Sequence, residues 1–271
     1  MPEHALFEPV YALSGLVVGL LVGLTGTGGG SLMTPVLVLL FHIHPATAVG
    51  TDLLFTAITK IVGTAVHGSK GTIDWRLVGR LAAGSVPATC ITVLCLWLLR
   101  GPAADPHAAT SHSAVNSVLT TALGIAVIIT ALTLLLRPWL LARFANSAPL
   151  SPRKVTILAI TLGAALGVMV SLSSVGAGAI GVSALMALYP RMPLGRLVGS
   201  DIAHAVPLTL IAGAGYWLLG SIDWSLLTSL LVGSIPGIIV GSLLSARSPD
   251  RVLRYVLAVM LLIVGGKLAF F

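Results

Sequence analysis

Long apolar runs separated by short polar segments dominate this chain. Two stretches, 10–41 and 155–189, are interrupted by small residues, and each has room for about two short passes at ~1.5 Å of rise per residue. Six other runs are each close to the ~20 residues that a helix needs to cross the hydrocarbon of a bilayer. These runs are 47–66, 77–99, 115–136, 198–219, 225–245 and 252–270. The pattern predicts an all-α integral membrane protein with two broken-helix hairpins and six full spans.

The chain also repeats itself. The segment Gly-x-Ile-Asp-Trp occurs at 71–75 and again at 220–224, an offset of 149 residues. Near the tips of the two hairpins the glycines match at an offset of 148 residues, because one residue is inserted between the two matched regions. Matches that persist over the length of a half-chain indicate a duplicated unit, as is common among membrane transporters.

The duplication divides the chain into two units. We predict a first repeat at 1–136 and a second at 155–271, joined by a basic cytoplasmic loop at 137–154. Each repeat consists of one hairpin followed by three transmembrane helices. Counting both arms of the hairpin, a repeat makes an odd number of passes, so the second repeat is predicted to be inverted relative to the first.

Basic residues agree with this topology. With the loop 137–154 inside, twelve Lys or Arg residues lie on the inner side, whereas only Arg100 and Lys267 lie on the outer side. Such a bias is expected from the tendency of basic loops to remain cytoplasmic. Both termini are then predicted to lie on the outer side.

Composition supports a bilayer as the environment. Hydrophobic residues make up 56% of the chain and charged residues 8%, with a mean hydropathy of +1.05, which is too little polar surface to cover a soluble globule. The net charge of +7 comes from residues in short loops beside apolar runs and not from a basic domain. Nucleic acid is therefore not an expected partner.

The hairpin tips are the first candidates for chemistry, because both are rich in glycine and hydroxyl groups. A helix that restarts after a break presents free backbone N–H groups and the positive end of its dipole, which favours an anion. Close helix packing is the alternative, and we favour it for Gly15, Gly19 and Gly23. The predicted substrate-binding residues of the tips are Thr25, Thr27, Gly28, Gly29, Gly30, Ser31, Ser173, Ser174, Gly176 and Gly178.

Lys60 is the one Lys or Arg residue deep inside a predicted span, about 13 positions after its start. An ionisable group at membrane depth is costly, which makes Lys60 a candidate substrate ligand. Its long side chain could instead extend to the cytoplasmic surface. The sequence leaves both interpretations open, and the aligned residue of the second repeat, Thr209, carries no charge.

Two acids align between the repeats. Asp52 and Asp201 each follow a glycine and a hydroxyl residue near the start of a span, where a carboxylate can simply complement the helix terminus. His204 lies three residues after Asp201, on the same face of the predicted helix. The hypothesis is that Asp52, Asp201 and His204 take part in proton coupling.

Taken together, these motifs resemble one known family. The segment 19–31, the segment Pro-Ala-Thr-Ala-Val-Gly-Thr-Asp at 45–52 and the repeated Ile-Asp-Trp are similar to those of the TauE/SafE sulfite and organosulfonate exporters, also called the 4-toluene sulfonate uptake permease family. The resemblance implies a multi-pass carrier of the bacterial inner membrane that moves small sulfur-containing or carboxylate anions. The outer side would then be the periplasm.

We therefore expect a secondary transporter that moves a small anion, first sulfite or an organosulfonate, by alternating access. A small carboxylate or another sulfur oxyanion is the alternative substrate, and an anion channel or an intramembrane enzyme is a weaker alternative function. No catalytic motif is present, so neither an enzyme nor a cofactor is expected. A metal site is not expected either, and the coupling ion, proton or other, and the oligomeric state stay open.

Overall fold

The computed structural model describes residues 8–25, 30–100, 108–145, 151–176, 178–245 and 250–270. Its first half contains α1 (Pro9–Thr25), α2 (Gly30–Leu39), α3 (Pro45–Ser69), α4 (Trp75–Arg100) and α5 (Ala108–Ala145). Its second half contains α6 (Pro152–Ser173), α7 (Ala179–Leu188), α8 (Leu194–Leu218), α9 (Trp224–Ser245) and α10 (Asp250–Phe270). Every regular element in these ranges is a helix, which confirms the all-α prediction.

Five of the helices are long and apolar enough to cross a bilayer. They are α3, α4, α5, α6 and α8, and shorter apolar helical segments cover Pro9–Leu21, Ala179–Leu188 and Trp224–Val240. Large apolar side chains such as Ile91, Trp97 and Leu99 are exposed on the outside of the bundle. In a bilayer these side chains contact lipid, so their exposure is expected.

The structure differs from the sequence expectations at two places. Helix α5 continues to Ala145, so residues 137–145 of the predicted basic loop are helical, and Pro138 lies inside the helix. The second hairpin is also not a pair of short passes, because α6 has 22 residues and α7 has 10. Its arms are unequal because the break occurs at the serine and glycine residues and not at the midpoint of the apolar stretch.

Helix α1 packs mainly against α9, and glycines allow the two backbones to approach closely. Gly15 lies against the backbone of Leu230, and Gly19 lies against that of Ser234. A side chain at either glycine would overlap these atoms, which confirms the packing interpretation for both residues. Because the contacts advance together along both helices, α1 and α9 are parallel.

Helices α4 and α6 form a matching pair. Gly163 of α6 lies against the backbone of Leu81, and Gly167 lies against that of Ser85. These four residues align in the repeat with those of the α1–α9 contact. The first helix of each half thus packs in parallel along the fourth helix of the other half.

Helices α3 and α8 cross at the centre, and they are antiparallel. Gly50, early in α3, meets Tyr216 late in α8, whereas Gly63, late in α3, meets Ile202 early in α8. The turn that follows each helix bonds to the other one. The backbone N–H of Asp223 donates to Thr51 Oγ1 at 3.2 Å, and that of Asp74 donates to Ser200 Oγ at 2.8 Å.

Candidate functional site

The second hairpin breaks where the sequence predicts it. Helix α6 ends at Ser173, Ser174 adopts a left-handed conformation with φ of 57°, and α7 begins after Gly178. Gly176 has φ of 117°, which a residue with a side chain rarely adopts. The segment is buried in the protein, which is the condition under which non-helical backbone is tolerated at membrane depth.

The first hairpin is described only in part. Thr25 is the last residue of α1, while Gly30 and Ser31 are the first two residues of α2. The remaining predicted ligands of this tip, Thr27, Gly28 and Gly29, lie outside the described residues. The prediction that the first tip binds substrate therefore stays a prediction.

Asp52 is fully buried on α3 and faces hydroxyl groups. Thr34 Oγ1 of α2 donates a hydrogen bond to Asp52 Oδ2, and Thr56 Oγ1, one turn along α3, donates to Oδ1 at 3.4 Å. The hydroxyl of Ser174, in the break of the second hairpin, and the backbone N–H of Thr34 also approach this carboxylate. Within the part of the chain that the structure describes, Ser174 Oγ makes no hydrogen bond.

Asp201, the aligned acid on α8, is 1% exposed and has a different environment. Lys60 of α3 is 5% exposed and interacts electrostatically with Asp201. The lysine is thus enclosed in the bundle and does not extend to the surface. On the other side, Gly181 of α7 is so close to Asp201 Oδ1 that a Cβ atom there would overlap it, and this oxygen has no hydrogen-bond partner among the described residues.

His204 lies one turn beyond Asp201 on α8, and it is fully buried. Its Nε2 shares a hydrogen bond of 2.9 Å with Ser85 Oγ of α4, whereas its Nδ1 has no partner among the described residues. The partner of the imidazole is therefore the hydroxyl of Ser85, and the charged neighbour of Asp201 is Lys60. This arrangement differs from a directly bonded pair of Asp201 and His204.

The predicted residues therefore gather into two clusters, one around Asp52 of α3 and one around Asp201 of α8. The Asp52 cluster contains Asp52, Thr34, Thr56 and Ser174, and the Asp201 cluster contains Asp201, Lys60, His204, Ser85 and Gly181. Sequence reasoning did not identify Thr34, Thr56, Ser85 or Gly181 as site residues. Only Thr56 had a local signal, since it lies four residues after Asp52 on one helical face.

The two clusters are suited to different ligands. The Asp52 cluster offers carboxylate and hydroxyl oxygens, which are ligands for a hard cation. The Asp201 cluster contains a buried ammonium group and an imidazole, both of which can donate hydrogen bonds to an anion. Within the described part of the chain, no group of three or more His, Cys, Asp or Glu residues could hold a metal ion.

Comparisons with known proteins agree with a membrane transporter. The sequence profile of the family described as "Sulfite exporter TauE/SafE" matches residues 11–268. The probable membrane transporter protein YjnA of Bacillus subtilis is 39% identical over 261 residues, which are 94% of this chain and 97% of that protein. The probable membrane transporter protein YdhB of the same organism is 28% identical over 260 residues, with the same coverage of both chains.

A more distant relative has the same description. A probable membrane transporter protein of Xylella fastidiosa is 27% identical over 256 residues, covering 86% of this chain and 83% of the relative. No solved structure matches the chain at a significant level. These relatives are all described as membrane transporters, in agreement with the prediction that the chain is not an enzyme.

Proposed function

Because the chain belongs to the sulfite exporter TauE/SafE family of membrane transporters, we propose that it moves a small anion by alternating access as a secondary transporter. The first proposed substrate is sulfite, in line with the description of the family, or an organosulfonate. A small carboxylate or another sulfur oxyanion is the alternative. The proposed location is the bacterial inner membrane, with both termini in the periplasm.

The burial of Lys60 inside the helix bundle is the observation that most supports anion transport. Its side chain is 5% exposed, in a region where an ionisable group is expensive and usually functional. It interacts with Asp201 of α8, and Asp201 in turn lies against Gly181 of α7, the helix that follows the break of the second hairpin. We propose that the ammonium group of Lys60 binds the anion directly.

The broken hairpins complete the proposed site. Near the start of α7, the N–H groups of Gly178 and Gly181 donate to the carbonyl of Gly176. The other N–H groups of the first turn lie at the positive end of the helix, which favours an anion. The residues proposed to contribute from this tip are Ser173, Ser174, Gly176 and Gly178. In the first tip, Thr25 to Ser31 are proposed to play the same part.

Two inverted repeats supply the proposed alternating access. The antiparallel α3 and α8 are equivalent helices of the two halves, which supports inversion. So does the matched pair of hydrogen bonds from Asp74 and Asp223. Rocking of one half against the other would expose a central site to each side in turn.

We further propose that Asp201 and His204 couple transport to protons. Both are buried, each has an atom without a hydrogen-bond partner among the described residues, and Asp201 faces Lys60. When an anion binds to Lys60, one ammonium group faces two negative charges, the anion and the Asp201 carboxylate. A proton on Asp201 would make the site neutral again. Asp201→Asn is expected to leave saturable anion exchange in place and to remove the proton movement that accompanies it.

Counterflow of radiolabelled sulfite into proteoliposomes tests the proposed function. The wild-type protein is expected to show saturable exchange, with unlabelled sulfate, taurine and acetate as competitors that rank the substrate classes. Lys60→Met is expected to lower exchange about ten- to hundredfold, since a hydrogen bond to a charged group contributes about 1.5–3 kcal/mol. Gly29→Leu tests the first tip in the same assay.

The matched control is Lys70→Met, which removes the same charge from an exposed position just after α3. It is expected to leave exchange unchanged. If Lys60→Met transports as the wild type does, Lys60 does not bind the substrate. If none of the anions exchanges, the proposed substrate class is wrong, while membership of a transporter family stands.

A further inference from the structure

The Asp52 cluster holds a buried carboxylate whose surroundings are hydroxyl groups. Asp52 is 0% exposed, and its hydrogen-bond donors in the structure are Thr34 and Thr56. No basic side chain contacts it within the described part of the chain. A buried carboxylate without a cationic partner is costly, so a positive charge supplied from solution would stabilise it.

A further oxygen at this place has no hydrogen-bond partner among the described residues. It is Oγ of Ser174, a residue that is 3% exposed and whose hydroxyl approaches Asp52. Ser174 directly follows the last residue of α6, where the unpaired carbonyl groups and the negative end of the helix dipole favour a cation. The approach of the Thr34 backbone N–H to the carboxylate does not suit a cation, and the hydroxyl groups of Thr34 and Thr56 would have to turn their protons away from the ion.

We propose that the Asp52 cluster is a binding site for Na⁺. The ligands are the carboxylate of Asp52 and the hydroxyl oxygens of Thr34, Thr56 and Ser174, a set of hard oxygen donors. Each hydroxyl can offer a lone pair to the ion, because it is both a donor and an acceptor. Broken helices in secondary transporters are a known place for such sites.

The aligned position in the second half does not offer this chemistry. Asp201 faces Lys60, whose charge repels a cation. The residues aligned with Thr34 and Thr56 are Val182 and Ala205, which have no hydroxyl group. The geometry therefore assigns the cation to one half of the chain.

Binding of Na⁺ would link three parts of the molecule. Thr34 belongs to the short arm of the first hairpin, Asp52 and Thr56 belong to α3, and Ser174 belongs to the break of the second hairpin. The ion would hold that break against α3 and so couple its position to the Na⁺ gradient. As an account of coupling, this inference rests on the proposed transport function, whereas binding of the ion can be measured without transport.

The test is thermal unfolding of the full-length protein in nanodiscs as NaCl replaces choline chloride at constant ionic strength. A ligand that binds the folded state raises the unfolding temperature in a saturable way. The wild-type protein is expected to show this shift with Na⁺ and a weaker one with K⁺. Asp52→Asn is expected to abolish it, and Asp201→Asn is expected to retain it.

Two milder variants distinguish a loss of Na⁺ binding from a loss of folding. Ser174→Gly removes the hydroxyl while glycine accepts the φ of 57° without strain, and Thr56→Val removes a second oxygen at nearly constant volume. Each is expected to raise the half-saturating Na⁺ concentration about tenfold, the effect of ~1.4 kcal/mol. Their controls are Ser183→Ala and Thr130→Val, at buried hydroxyls that bond to their own helices.

Several results would overturn the site. They are a wild-type protein that does not respond to Na⁺, a response that survives in Asp52→Asn, and a stability that follows pH but not Na⁺. The last result would make the proton the ligand of Asp52. If the Na⁺ response appears as expected but no anion is exchanged, the ion site stands and the proposed transport function falls.

Discussion

Asp52 and Asp201 occupy aligned positions on α3 and α8, yet their surroundings have little in common. Asp52 accepts hydrogen bonds from Thr34 and Thr56. Asp201 has one oxygen without a partner among the described residues, and it lies between Lys60 and Gly181. One carboxylate is thus surrounded by oxygen atoms, and the other faces a cation.

The difference comes from the side chains, because the helix contacts and turn hydrogen bonds around them are nearly the same in both halves. We call these shared contacts and hydrogen bonds the frame. The residue aligned with Lys60 is Thr209, whose hydroxyl donates to its own helix, and the residue aligned with His204 is Phe55. The helix contacts and turn bonds recur in pairs, whereas the polar groups at the crossing do not. The two halves are therefore alike in these helix contacts and differ in the polar chemistry of the aligned positions.

The largest expected effect on stability comes from separating Lys60 and Asp201. Lys60→Met leaves a buried carboxylate without its cation and is expected to lower the free energy of unfolding by about 3–5 kcal/mol. Adding Asp201→Asn removes the remaining charge and is expected to recover most of this loss. Unfolding of both variants in detergent micelles measures the effect.

The control for this prediction is the aligned carboxylate. Lys60→Met combined with Asp52→Asn is expected to recover little, because Asp52 is stabilised by hydroxyl groups. Equal recovery by the two double variants would show that Lys60 compensates the charge of both acids, so that the two aspartates would not differ in their cationic partner.

A smaller effect is expected at Gly181, where α7 touches Asp201. Gly181→Ala places a Cβ atom on Asp201 Oδ1, and either the helix or the carboxylate must move. Overpacking of this kind costs about 1–3 kcal/mol. The expected outcome is a lower unfolding temperature together with slower anion exchange, since the hairpin no longer sits against α8.

Gly79→Ala is the matched control for Gly181→Ala. Gly79 also lies within a helix, but an added Cβ atom there meets nothing within 4 Å. Its substitution is expected to be neutral or to stabilise the helix by roughly 0.5–1 kcal/mol. A destabilised Gly79→Ala variant would mean that the loss at Gly181 says nothing about Asp201.

The sequence predicts the features that depend on neighbouring residues better than those that depend on contacts between distant parts of the chain. The apolar runs predict the helices because burial in lipid and helix length are local properties, and the breaks follow from local glycines. The length of α5 was missed because the apolar run ends at Leu136 and a basic segment follows, whereas the helix continues and accommodates Pro138. The extra turns to Ala145 contain leucine, alanine and arginine, which favour helix.

The candidate site depends on long-range packing, and the sequence predicts less of it. Lys60 and Asp201 come from different halves of the chain and meet only because α3 and α8 cross. Asp52 and Ser174 likewise meet through tertiary packing. Each of these residues has a recognisable signal of its own, but their pairing has no local pattern.

The similarity of the two halves can be tested by aligned substitutions, which are expected to have equal effects on stability. Asp74 Oδ1 accepts the backbone N–H groups of Arg76 and Leu77, and Asp223 Oδ1 accepts those of Ser225 and Leu226. Both acids thus cap the helix that follows. Asp74→Ala and Asp223→Ala are each expected to cost about 1 kcal/mol of unfolding free energy.

The smallest effect is expected where the turns bond across the crossing. Thr51→Val and Ser200→Ala each remove the acceptor of one turn N–H, and the expected loss is roughly 0.5–1.5 kcal/mol for either. Ser14→Ala is the control, because that exposed hydroxyl bonds only to its own helix. Similar losses in the two halves would support a shared frame, since the same bond is removed from each. A loss confined to one half would mean that the two halves differ in their packing as well as in the surroundings of their aspartates. A shared pattern of helix contacts and turn hydrogen bonds would then not explain how α3 and α8 pack together.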